Sequence, residues 1–166
     1  MTPPFSGHAG PRIHRARFDE LPPRVLYALL RLRAQVFVVE QRCAYQDLDG
    51  RDLEPATRHL WLAAEPAEPL AYLRVVEEAD GLRIGRVVTV AHARRGGLAD
   101  RLLTTALGDA GGGRPVVLSA QTSAVGLYTR HGFVAAGEEY LEDGIPHVPM
   151  VRPAGASGNL RAGGGG

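Results

Sequence analysis

The stretch "RIGRVVTVAHARRGGLADRLL", residues 83 to 103, changes its hydrophobic period halfway along. Its first part is β-branched and reads as a strand, and from Leu98 the pattern is that of an apolar helix. Gly96 and Gly97 stand at the junction. Glycines there let the backbone come close to a ligand, and the free N–H groups of a helix start attract anions. A plain strand-to-helix turn uses glycine too, so the rest of the chain decides whether this turn holds a phosphate.

Three strand patterns lead up to this junction: "HLWLAAE" at 59 to 65, "LAYLRVVEE" at 70 to 78 and "LRIGRVVTV" at 82 to 90. Pro66 and Pro69, then Asp80 and Gly81, separate them, which predicts an antiparallel meander. Upstream, "IHRARF" at 13 to 18 alternates as a half-buried strand does. Pro22 and Pro23 suit a helix start, and Val25, Leu26, Leu29, Leu30, Leu32, Arg33, Val36 and Phe37 recur at helical spacing for about four turns. Residues 43 to 58 are polar and rich in turn formers, predicting a long irregular connection of the kind that often serves function. Downstream, the helix from Leu98 to about Gly108 leads to a buried strand, "PVVLSA" at 115 to 120, implying a right-handed crossover onto a parallel neighbour. "AVGLYTRH" predicts a short helix stopped by Gly132, and "FVAAGEEYLEDGIPHVPMVR" a closing hairpin with Asp143 and Gly144 in its turn. One domain over 1 to 152 is expected, followed by a disordered Gly/Ala-rich tail over 153 to 166.

Composition removes several function classes. All nineteen basic residues are arginine, so no lysine is available for a Walker A loop, a Schiff base or a pyridoxal anchor. A net charge of +1 gives no bulk attraction to nucleic acid or to anionic membranes, and neither is expected as a partner. Arg12, Arg15 and Arg17 fit the wet face of a first strand. The single cysteine, Cys43, cannot form an internal disulfide, and no apolar run approaches the ~20 residues of a membrane helix. A cytoplasmic monomer or homodimer is the expectation. "QDLDGRDLE" brings Asp47, Asp49 and Asp52 together, but Gly50 falls at the fourth position of such a loop, where calcium binding would need it at the sixth. That stretch reads as a turn, or as an acidic rim attracting a cationic amine. The histidines and Cys43 show no zinc spacing, and no metal is expected.

Two motifs in the order found here resemble the GNAT superfamily of N-acetyltransferases. Arg94, Gly97 and Ala99 match its signature of Arg or Gln, two variable residues, Gly, one variable residue, then Gly or Ala. Leu127, Tyr128, Gly132 and Phe133 match its "Leu-Tyr, three residues, Gly-Phe" element. "LRAQVFVVEQRCAYQDLDGRDL", "TRHL", "IGRVV", "SAQ" and "EDGIPHVPM" are similar to the ElaA-like branch of that superfamily. Two departures stand out: Arg95 fills a place often taken by Gly, and the asparagine many members carry after the fifth strand is absent. The resemblance implies an α/β (α+β) fold: a mixed, mostly antiparallel sheet of about seven strands, with helices on both faces and a splay between strands 4 and 5.

It also implies acetyl coenzyme A as co-substrate, with transfer of the acetyl group to a primary amine, small-molecule or protein, by direct attack in a ternary complex. The pyrophosphate is expected at the N–H groups of Arg95, Gly96, Gly97, Leu98 and Ala99, and the pantetheine arm along Val88, Thr89 and Val90. Tyr128 is the candidate acid for the leaving thiolate, its phenol near ~10 standing close to a thiol near ~8.5. For the base, Glu40, Glu77 and His147 stay open. A non-catalytic acyl-coenzyme A binding module and an acyl-homoserine-lactone-synthase-like acyltransferase are the alternatives.

Overall fold

A computed structural model describes residues 10 to 156. Among them lie β1 (Arg12–Ala16), α1 (Pro23–Arg33), β2 (Arg58–Ala63), β3 (Ala71–Glu78), β4 (Gly81–Thr89), α2 (Leu98–Ala110), β5 (Val116–Gln121), α3 (Val125–Arg130), β6 (Val134–Ala135), β7 (Tyr140–Glu142) and β8 (Ile145–Arg152). The strands form one mixed, mostly antiparallel sheet in the order β1-β2-β3-β4-β5-β8-β6, with β7 also on β8. The described residues divide into two compact units, one made of residues 10 to 76 together with Ile84–Leu102, the other of Glu77–Arg83 and residues 103 to 156.

In the first unit β1 runs antiparallel to β2, and β2 to β3 with Trp61 opposite Tyr72. α1 opens with Pro23, whose missing N–H costs nothing at a helix start. It buries Val25, Leu29 and Leu32 in a cluster with Trp61, Ala63, Tyr72 and Val88. Each such side chain removed from water stabilises by about 1.5–3 kcal/mol, so packing of this stripe on the sheet holds the helix. The expected fourth turn is wound differently: Ala34–Glu40 is π-helical, with the Gln41 N–H donating to the Val36 carbonyl at 2.9 Å. The wider turn keeps the consecutive Val36 and Phe37 buried and leaves Val38 and Val39 exposed.

In the second unit the start of β4 pairs in parallel with β5, Leu82 opposite Val116 and Arg83 opposite Val117. β5 then runs antiparallel to β8, from Val116 opposite Arg152 to Gln121 opposite His147. β6 and β7 both pair with β8, at Val134 opposite Val151 and Tyr140 opposite His147, so the closing segment supplies three strands where a hairpin suggests two. The hairpin turn is as expected, with φ of +50° at Asp143 and +75° at Gly144, the doubly left-handed form that matches strand twist. Of the expected tail, residues 153 to 156 are tied down, Gly155 N–H donating to the Gly112 carbonyl at 2.8 Å. Residues 157 to 166 lie outside the described residues.

Candidate active site

In the first unit, β4 ends in a single 3-10 turn, Ala91–Ala93, and the chain reaches α2 through four residues. Two of them are left-handed, Arg95 at φ +64° and Gly97 at φ +74°. Arg95 thus holds the left-handed backbone that a glycine adopts freely, at a strain of about 1–2 kcal/mol for an L-residue. The first N–H groups of α2 have no partner within the helix.

Arg94 does something the sequence did not suggest. Its Nη2 donates to Glu40 Oε2 at 2.6 Å and its Nε to the Thr89 carbonyl at 3.1 Å. The guanidinium thus braces the turn from within the chain, and one candidate base is taken up in an ion pair. The Val90 N–H donates to the Leu70 carbonyl at 2.8 Å. Across a trans peptide the preceding C=O points the opposite way, so the Thr89 carbonyl faces away from that contact, toward Arg94. Val88 is buried in the core cluster with α1.

The acidic loop is not a rim. Arg33, 1 % exposed, donates to Asp47 Oδ2 at 3.0 Å and to Asp52 Oδ1 at 2.7 Å. Arg74 holds Asp49 through two bonds of 2.8 Å and reaches Asp52 Oδ1 at 3.1 Å. Arg86, itself left-handed at φ +55°, places its Nε 2.6 Å from Asp47 Oδ1, too poorly aligned for a hydrogen bond, so both atoms lack one. Three arginines thus neutralise three aspartates, leaving no surplus negative charge for an amine. Burial opposes the charge on Asp49 and on Asp52, but the arginine hydrogen bonds outweigh it and hold both carboxyls below the usual range. Behind them His59 accepts from the Tyr72 hydroxyl at 2.7 Å and donates to the Asp52 carbonyl at 3.2 Å, and burial pushes its imidazole down. Sequence reasoning missed these arginines; the available signal was a charge set in otherwise apolar patterns near closely spaced aspartates.

In the second unit, Tyr128 on α3 is 6 % exposed, its ring edge-on to Phe133 at 6.0 Å between centroids. Burial pushes its phenol up to about 12, so it keeps its proton at neutral pH. Among the described residues none hydrogen-bonds its hydroxyl. Glu77 lies 3.4 Å from Arg114, both about half exposed. His147 on β8 is 9 % exposed and is flanked by Gln121 of β5 and Tyr140 of β7. Its Nδ1 donates to the Ile145 carbonyl at 2.7 Å, and its ring stacks on Tyr140 at 5.9 Å. The Tyr140 hydroxyl in turn bonds Ser119 Oγ. Glu40, Arg94 to Ala99 and β4 from Ile84 onward thus belong to the first unit, and Tyr128 and His147 to the second.

Comparison with known proteins gives a consistent answer. Residues 31–153 match the family described as Acetyltransferase (GNAT) domain. The UPF0039 protein Rv2851c of Mycobacterium tuberculosis is 48% identical over 145 residues, 85% of this chain and 92% of that protein. A crystal structure of an acyl-CoA N-acyltransferase from Pseudomonas aeruginosa is 43% identical, with a TM-score of 0.79 over 86% of this chain and 99% of its own. The structure of Escherichia coli ElaA reaches the same TM-score at 36% identity, over 86% and 99% of the two chains. The chain belongs to the GNAT acetyltransferase family, in its ElaA-like branch, and is an acyltransferase.

Proposed function

We propose that this protein transfers an acetyl group from acetyl coenzyme A to a primary amine by direct attack in a ternary complex. The observation that carries the reading is the turn over residues 94 to 99. Two left-handed residues and a braced arginine lead into a helix start, whose first N–H groups lack helical partners and suit a pyrophosphate. Family membership supports a coenzyme A thioester as the donor.

The chemistry needs a base, a polarised carbonyl and an acid. His147 suits the base, because its Nδ1–H is committed to Ile145 and its Nε2 lone pair is not. Glu40 and Glu77 each already face an arginine. The amine gives one proton to His147 and attacks the thioester carbon; the new C–N bond forms as the C–S bond breaks, and the thiolate takes a proton from Tyr128. At about 12 the phenol is a weaker acid than a thiol at ~8.5, so Tyr128 first stabilises the developing charge as a hydrogen-bond donor and gives up its proton late. Solvent then returns the proton from His147 to Tyr128.

Thiol release from acetyl coenzyme A across a panel of primary amines tests this reading. Amine-dependent release is expected. Tight donor binding without release for any amine points instead to a binding module, and release confined to longer acyl chains points to a lactone-synthase-like activity.

A further inference from the structure

The β7–β8 hairpin sets two acceptor atoms face to face. His147 Nε2 and Glu142 Oε2 are 3.8 Å apart, beyond hydrogen-bonding distance. The Nδ1–H bond to Ile145 fixes the tautomer in which Nε2 carries a lone pair, and stacking on Tyr140, itself anchored to Ser119, keeps the ring from turning away. Two acceptors held against each other with no donor between them call for one from outside. An ammonium has three N–H groups, and a nitrogen ~2.9 Å from each acceptor spans their separation. His147 is nine-tenths buried while Glu142 is about half exposed, so the pair has a buried neutral acceptor and an open, negatively charged one.

We propose that Glu142 and His147 together form the subsite that receives the acceptor, and that the acceptor is therefore a cationic primary amine. This rests on the acetyl-transfer reading above. Glu142 binds the ammonium as a carboxylate throughout; Nε2 takes one proton from it and passes it to solvent, freeing the nitrogen lone pair for attack, and the neutral imidazole then takes the second proton as the C–N bond forms. Glu138, Glu139 and Asp143 in the same segment add negative field around Glu142. Among the described residues, the titratable groups facing His147 are Glu142 and Tyr140 from β7, and β5 sets Gln121 opposite it.

The test uses the full chain and two readouts. In the first, the ring resonances of His147 are followed by NMR while n-butylamine, or n-butanol as its neutral counterpart, is added without acetyl coenzyme A. Butylamine alone shifts them, Glu142→Gln weakens that response about tenfold or more, and Glu142→Asp keeps part of it. In the second, Glu142→Gln raises the amine KM about tenfold or more and leaves the acetyl coenzyme A KM and the melting temperature unchanged. Equal shifts from butylamine and butanol, or an unchanged amine KM in Glu142→Gln, overturn the subsite. Should the butylamine response be as described while no amine accepts an acetyl group, the ammonium site stands and the acetyl-transfer reading falls.

Discussion

Arg95 and Gly97 both hold left-handed backbone, but only glycine does so without strain. A Cβ on Gly97 would meet nothing within 4 Å, so the obstacle to a side chain there is conformational and not a clash. Gly97→Val forces a β-branched residue to φ +74°, which costs about 1–3 kcal/mol if the turn is kept and spoils the N–H cradle if it is not. Calorimetry should find coenzyme A binding weakened by about tenfold or more in a folded variant; unchanged affinity would remove residues 95 to 99 as the phosphate site. Tyr128 permits an equally sharp separation. A hydroxyl that merely held the fold together would cost about 0.5–1.5 kcal/mol on removal, yet no described residue bonds this one. Tyr128→Phe should therefore melt like the wild type while its turnover falls by ~10² or more at saturating donor. Near-normal turnover would sink the acid role.

The elements differ in how plainly the sequence announced them. Prolines, glycines and the switch from a two-residue to a helical period mark β2, β3, β4 and α2, because each is a local rule that tertiary contacts here did not override. The π-helical winding of Ala34–Glu40 was hidden, since over seven residues an apolar stripe looks alike at either pitch. The arginine–aspartate cluster was hidden for a different reason. Arg33 occupies a helical core position and Arg74 sits within an apolar strand run, so their partners become visible only once the loop over 43 to 58 folds onto them. Of the candidate site, the donor turn and Tyr128 could be read from motifs, whereas Glu142 emerged only through the hairpin register that sets it beside His147. The cluster makes a pH prediction. Asp49 and Asp52 are held below the ordinary ~3.9, so their contribution is complete above that value and is lost as pH falls through it. His59 is held below ~6.5, so its contribution likewise begins to fade below that pH. Asp52→Asn should lower stability by about 3–5 kcal/mol at neutral pH, because Arg33 and Arg74 lose a buried partner. In denaturant melts that deficit should shrink below about pH 4. A deficit that stays the same across the whole range would show that the carboxylate charge is not what the loop depends on.

For the molecule as a whole, the donor is a highly charged ligand and the protein, at net charge +1, offers no broad field to collect it. On the proposed reading, binding energy comes from directed N–H groups at the start of α2 and the braced turn before it, and ligand that binds only the folded chain stabilises it by mass action. At a hundredfold excess over Kd this amounts to about 2.7 kcal/mol, or a rise of roughly 5–11 °C in melting temperature for a chain of this size. The same experiment on two variants separates donor binding from chemistry. Tyr128→Phe, which leaves the cradle alone, should keep the full rise even with turnover gone. Gly97→Val should show about half that rise or less at the same concentration and recover the rest as acetyl coenzyme A is increased about tenfold or more, because mass action trades affinity against concentration one for one. A full rise in Gly97→Val at the lower concentration would place the phosphates elsewhere, and its loss in Tyr128→Phe would make Tyr128 a donor-binding residue whose effect on turnover is indirect.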